Sequence, residues 1–256
     1  MIDTHAHLTD EHYTDCLDSM IASMPKDNLS KIFTVAYNYK SCVECVDIAG
    51  KYDNIYAIIG IHPSDYKDYD IAKKFILDNV NNPKVVAIGE IGLDYHYPDT
   101  NKNEQKRIFV DQLQLAHEAG LPISIHVRDA IGDLLQILEE HKHLLANGGL
   151  IHCFSESVEV FNKVKRLGLK VAFGGVVTFK NAIKAVEVAN HADLSDFVLE
   201  TDCPYLTPEP LRGKQINEPK FVNFVAQKIA QIKGVSVEEV DSKTTANALE
   251  IFKKAK

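Results

Sequence analysis

The sequence predicts a single-domain (β/α)8 (TIM) barrel of the α/β class, with extra helices at its C-terminal end. Three observations lead there. Short β-branched or apolar runs alternate with longer amphipathic stretches, the pattern of a parallel sheet. Eight such units fit within 256 residues, about the length a closed barrel of this kind needs. No G-x-G-x-x-G or Walker loop follows any strand, which counts against a doubly wound open sheet.

Taken in order, strands are expected at residues 1–4, 31–36, 55–59, 85–89, 122–126, 150–152, 169–173 and 197–201. Helices are expected between them at 9–24, 40–51, 71–79, 103–119, 130–145, 158–167 and 181–190. In the fourth helix, Phe109, Leu113 and Ala116 keep helical spacing and give an inward stripe. After the eighth strand, the run from Cys203 to Pro210 carries three prolines. It cannot be regular helix or sheet and reads as a loop over the mouth. A helix follows at 219–233. Ser236 and Glu239 form a capping box that opens another, and a last helix is expected near 245–254.

Composition narrows the function classes. No apolar run approaches the roughly 18 residues of a membrane helix, and Asp3 and His5 interrupt any early apolar segment. A cytoplasmic protein that binds no membrane is therefore expected; a monomer is taken as the starting expectation, which composition does not decide. Five cysteines, an odd number irregularly spaced, argue against a disulfide framework. Cys42 and Cys45 form a lone C-x-x-C on a helix and read as buried thiols. A net charge of −8 is no footprint for coating nucleic acid by bulk electrostatics. A phosphate substrate is still compatible with it if metal ions and a few cations sit in the pocket.

The chemistry begins at residues 1–7, Met-Ile-Asp-Thr-His-Ala-His. Residues two apart on a strand share a side, so His5 and His7 face one point, and imidazole is the commonest protein metal ligand. Glu90 follows the fourth strand, His126 closes the fifth, His152 closes the sixth and Asp202 follows the eighth. All six lie at carboxyl ends of strands, the face of a barrel where active sites are built. They suffice for two divalent ions per chain if Glu90 bridges, with His5, His7 and Asp202 on one ion and His126 and His152 on the other. Nitrogen and oxygen donors without thiolate suit a hydrolytic site rather than a closed structural zinc site. Two ions about 4 Å apart activate water and stabilise a leaving oxygen; Asp202 is expected to orient or deprotonate that water.

Other histidines fail the same placement test. His141 and His143 end a helix, where i and i+2 diverge, and His12, His96, His117 and His191 fall on helices or in loops. His62, after the third strand, is either a proton-transfer or supporting residue or a plain loop histidine. Arg128 either grips a substrate phosphate or pairs with a nearby carboxylate. Glu200 steadies a ligand histidine unless the eighth strand runs regularly to Asp202 and turns it away. Arg212 and Lys214 read as a solvated pair more than as phosphate contacts.

Seven blocks carry a family resemblance: Asp3-Thr-His-Ala-His7, Gly60-Ile-His-Pro63, Gly89-Glu-Ile-Gly-Leu-Asp-Tyr95, Ile125-His-Val-Arg-Asp-Ala130, Ile151-His-Cys-Phe-Ser155, Leu199-Glu-Thr-Asp-Cys-Pro-Tyr205 and Arg212-Gly-Lys214. In these blocks, which run end to end and in order, the chain resembles the TatD family of metal-dependent deoxyribonucleases, within the amidohydrolase-like barrels. The resemblance implies a binuclear site on the six ligands above. It also implies a DNA phosphodiesterase, often a 3′-to-5′ exonuclease acting on single strands or 3′ ends. Mg²⁺ is the implied working ion, and Zn²⁺ or Mn²⁺ suits the same donors. The loop from Lys214 to Pro219 departs from the family pattern by one extra residue. Fold does not fix substrate, so a hydrolase of another bond, such as an amide, a lactone or a small-molecule phosphoester, is the rival on the same centre. No strand-end lysine is present to be carbamylated as a metal bridge; Glu90 holds that place. A non-catalytic scaffold would not need all six donors.

Overall fold

The computed structural model describes residues 1–256. Its strands are β1 (Ile2–Ala6), β2 (Lys31–Val35), β3 (Ile55–Ile59), β4 (Val85–Asp94), β5 (Ile123–Arg128), β6 (Gly149–Ile151), β7 (Lys170–Phe173) and β8 (Phe197–Leu199). They form one parallel sheet in sequence order. Helices α1 (Leu17–Ser23), α2 (Tyr39–Lys51), α3 (Tyr69–Asn79), α4 (Lys102–Glu118), α5 (Ile131–Glu140), α6 (Val158–Arg166) and α7 (Ile183–His191) connect successive strands. Helices α8 (Val222–Lys233) and α9 (Val237–Ile251) follow the last.

The apolar side chains sort by strand alternation into two layers. One lies between sheet and helices and includes Ile32, Ala57, Ile59, Leu113 and Phe109. The other fills the barrel interior with Phe33, Val35, Ile58, Val86, Leu150, Ala172 and Val198. Phe252, just past α9, plugs it from below, its ring edge-on to Phe33 at 4.7 Å. The interior is thus packed at the bottom and polar at the top, which leaves the carboxyl ends of the strands free for chemistry.

The first and last strands meet at the mouth. A single bridge joins Ala6 to Cys203, and the Asp202 N–H donates to the His5 carbonyl at 2.9 Å. Thr4 Oγ1 donates to Leu199 O at 3.0 Å. Asp3, fully buried, accepts from the Thr201 N–H at 2.9 Å and the Thr201 hydroxyl at 2.6 Å. Side-chain hydrogen bonds, more than a strand ladder, hold this seam.

Four local expectations need correction. The stretch 9–24 is not one helix: Asp10 caps a 3-10 turn at Glu11–Tyr13, and Cys16, outside helical geometry, separates it from α1. The stretch 130–145 breaks at His141 into α5 and a 3-10 turn, Lys142–Leu145. The two last helices are one, α9, capped by the Ser236 hydroxyl on the Glu239 N–H, because nothing between Val240 and Thr245 interrupts it. Strand β4 does not stop at residue 89. It continues to Asp94 across a register shift between Ile88 and Ile91, and Gly92 permits the continuation. At φ +145°, a Cβ on Gly92 would lie 2.0 Å from the His126 carbonyl oxygen.

Thr201→Val keeps the side-chain shape but removes the hydroxyl from Asp3. It is expected to lower the unfolding free energy by about 1–3 kcal/mol, read from urea denaturation. A midpoint equal to wild type would show that this seam contact carries no stability.

Candidate metal centre

A cavity of about 420 Å³ opens at the mouth of the barrel. His7, His62, Glu90, His126, Arg128, His152 and Asp202 line it; His5 is fully buried beneath. The residues arrive from β1, β3, β4, β5, β6 and β8, and three local features aim them. His5 and His7 sit at the irregular end of β1, where its register against β2 shifts. Glu90 sits in the β4 irregularity, and Asp202 takes a left-handed φ of +57°, a conformation aspartate tolerates better than most residues.

Backbone and carboxylate partners fix which ring nitrogens carry protons. His7 Nδ1 faces the Val35 carbonyl at 3.0 Å, so Nδ1–H donates and Nε2 turns its lone pair into the cavity. That nitrogen lies 3.3 Å from His5 Nε2 and 3.4 Å from Asp202 Oδ1. His126 Nε2 donates to Asp94 Oδ2 at 3.1 Å. Its Nδ1 then faces Glu90 Oε1 at 2.8 Å and His152 Nε2 at 3.1 Å. The two oxygens of Glu90 divide the site. Oε1 approaches His126 and His152, the latter at 2.7 Å, and Oε2 lies 3.5 Å from His5 and 3.8 Å from His7.

Lone pairs and carboxylate oxygens at such distances repel unless positive charge lies between them. Donors sharing one ion at about 2.1 Å stand roughly 3.0–3.5 Å apart in octahedral or tetrahedral placement, close to the separations found. His5, His7 and Asp202 form one mutually close set, and His5, Glu90 and His152 form another. The donor chemistry therefore fits divalent cations, and the titration behaviour points the same way. Without a cation, protons can supply that charge: burial works against an ionised Glu90, yet the charge of protonated His152 and hydrogen bonds from protonated His126, His152 and His5 hold its carboxyl well below the ordinary range. Burial also opposes ionised Asp202, but His7, His5 and His152 outweigh it and lower its pKa. Against the same burial penalty, carboxylates raise the pKa values of His7, His126 and His152. The pocket draws in positive charge.

His62 caps a 3-10 turn, Pro63–Asp68, its Nδ1 accepting from the Ser64 N–H at 3.1 Å. Its Nε2 therefore carries the proton and faces Glu90 Oε1 at 3.9 Å. Burial lowers its pKa to about 4, so the ring is a neutral donor. Arg128 is exposed at the end of β5 and lines the cavity. No carboxylate lies within 4 Å of its guanidinium, so the salt-bridge alternative is not realised. Because β8 ends at Leu199, Glu200 is not turned away. It is fully buried, holds the Cys153 N–H at 2.6 Å and lies 3.7 Å from His152 Nδ1. Arg212 stacks on Phe179 at 3.7 Å and Lys214 binds the Pro210 carbonyl; neither lines the cavity. The His141 and His143 rings stand 6.2 Å apart at a helix end and join no close donor set.

Sequence reasoning missed Asp94. It lies four residues after Glu90, on the same side of a strand that continues past the expected end, and it forms a third close set with His62 and His126. The even spacing from Glu90 was the available signal. Added Mn²⁺ or Zn²⁺ is expected to raise the melting temperature of EDTA-treated protein by roughly 5–10 °C at a hundredfold excess over Kd. Glu90→Gln, which keeps the shape and loses the charge, is expected to show a much smaller shift in differential scanning fluorimetry. Equal shifts in both proteins would contradict a cation held by Glu90.

Residues 2–253 match the family model described as TatD related DNase. YabD of Bacillus subtilis strain 168, named an uncharacterized metal-dependent hydrolase, is 42% identical, the match covering 99% of both chains. YcfH of Escherichia coli K12, named in the same words, is 36% identical over 98% of this chain and 95% of its own. Among solved structures, YjjV, a TatD homolog from Escherichia coli K12, aligns at a TM-score of 0.93 with 26% identity, covering 99% of this chain and 98% of that one. Sequence match, barrel and donor-lined mouth agree along the full length, and the chain belongs to the TatD family of metal-dependent hydrolases.

Proposed function

We propose that the chain hydrolyses phosphodiester bonds of DNA, trimming from 3′ ends, with two divalent cations, Mg²⁺ in the working enzyme, that His5, His7, Glu90, His126, His152 and Asp202 would hold. The observation that carries this reading is Arg128. It is a guanidinium without a carboxylate partner, lining the same cavity as the donors of the floor. A planar, permanently charged fork suits a phosphate bearing two non-bridging oxygens. The family description as DNase and the match along the whole chain support it.

Cations bound at the donors supply Lewis-acid activation of water and neutralise charge on the leaving oxygen. The chain's own residues do the rest. Arg128 orients the phosphate and offsets its charge. Asp202, ionised and at the cavity edge, accepts the proton of the attacking water and holds that water in line. His62 presents Nε2–H as a donor to a phosphate oxygen, its ring fixed by the Ser64 N–H. Asp94 steadies His126 from behind by a hydrogen bond, and Glu200 sets its negative charge 3.7 Å behind His152.

Incubation with end-labelled oligonucleotides in Mg²⁺ or Mn²⁺ tests the reading. A ladder shortening from the 3′ end and abolished by EDTA is expected. Turnover confined to small esters or amides would replace it with the rival hydrolase, and no turnover on any of these would leave a metal-binding scaffold. Asp202→Asn is expected to lose at least about 10²–10⁴-fold in kcat with little change in melting temperature; full activity in that variant would remove its assigned role. Arg128→Ala is expected to raise KM for the oligonucleotide about tenfold or more, measured by steady-state kinetics, and an unchanged KM would count against phosphate recognition there.

A further inference from the structure

Beside the donors, the mouth carries three tyrosines that the chemistry above does not use, Tyr37, Tyr97 and Tyr205, and two of them border a ligand histidine. Tyr37, after β2, and Tyr205, in the loop after β8, line the cavity. Each ring stands edge-on to His7 with centroids 5.9 Å apart. The two phenols therefore flank one ligand imidazole and lie within twice that distance of each other. Tyr205 is 56% exposed, an apolar ring turned to solvent at the brim of an otherwise polar site.

Its backbone, in contrast, is pinned. Asn217 is fully buried, and its Nδ2 donates to the Thr201 carbonyl at 2.8 Å and the Tyr205 carbonyl at 2.5 Å, bracketing Asp202. The Tyr205 N–H donates to the Asp202 carbonyl at 3.0 Å, and the Tyr13 hydroxyl donates to the Asn217 carbonyl at 2.5 Å. Asp202 and Tyr205 are thus fixed relative to each other. A large exposed ring on a backbone held this firmly loses little freedom on meeting a flat partner, the arrangement favoured in recognition sites.

We infer that Tyr205 is the stacking platform for the nucleobase next to the scissile phosphate, with Tyr37 on the same side of the mouth beside His7. The inference rests on the DNA reading above and adds to it the group that distinguishes a nucleotide from a simple phosphodiester. Every base offers a π-face, so such a platform takes an unpaired base with little regard to sequence. A base stacked in a partner strand cannot reach it.

The test compares wild type, Tyr205→Ala and Tyr205→Phe on a single-stranded oligonucleotide and on bis(p-nitrophenyl) phosphate, which has no base. Tyr205→Ala is expected to lose about 5- to 150-fold in kcat/KM on the oligonucleotide, at least about fivefold more than on the small ester. Tyr205→Phe is expected to restore most of it. With Ca²⁺ in place of Mg²⁺ to slow cleavage, an oligonucleotide ending in 2-aminopurine is expected to lose fluorescence on binding wild type and Tyr205→Phe, and to keep it with Tyr205→Ala. Equal losses on both substrates, or an oligonucleotide rate untouched by Tyr205→Ala, overturn the platform alone. Wild-type cleavage of the small ester with none of any oligonucleotide overturns the DNA reading and the platform with it.

Discussion

Nitrogen lone pairs and carboxylate oxygens point at one another across the mouth of this barrel, and the rest of the site depends on that confrontation. His7 is forced into it by the Val35 carbonyl and His126 by Asp94, because each partner accepts the one proton that a neutral imidazole carries. With those protons turned outward, the inward nitrogens stand 2.8–3.4 Å from other donors. Such a cluster is costly to assemble without cations. Without cations, protons relieve part of that cost: the acids are pushed down and His7, His126 and His152 up, while burial pushes His5 and His62 down. Glu90, with one oxygen toward each half, gives the confrontation two centres.

That much was readable from the chain because of how a parallel barrel maps sequence to space. Any residue closing a strand arrives at the same rim, so His5, His7, Glu90, His126, His152 and Asp202 could be collected without coordinates. What could not be read follows from local irregularity. Asp94 was hidden because β4 was expected to stop where Gly89 and Glu90 disturb its register; the strand resumes beyond them, and Gly92 allows β5 to pass close by. Glu200 was ambiguous because its direction depends on where β8 ends, and the strand stops one residue before it. Tyr205 lies in a proline-rich loop whose course is set by Asn217, a contact between residues 12 apart that no periodicity announces. The helix errors are of the same kind, since turns at Cys16 and His141 depend on single backbone angles.

The barrel seam ties stability to function. Between β1 and β8 the ladder is short, and Asp3, Thr4 and Thr201 replace it with side-chain hydrogen bonds. These residues neighbour His5 and Asp202 directly, so the contacts that close the barrel also set the spacing of its donors. Tyr13 extends the arrangement outward through Asn217 to the loop bearing Tyr205. A polar seam is less forgiving than an apolar one, because each unpaired group is penalised, and that intolerance keeps the donors in register.

The most direct test of the facing-donor account is anomalous diffraction from crystals grown with Mn²⁺. Two peaks are expected, one on each side of the Glu90 carboxylate, the first contacting His5, His7 and Asp202 and the second His126 and His152. A single peak that leaves either group of donors uncoordinated, or peaks elsewhere on the surface, would contradict it.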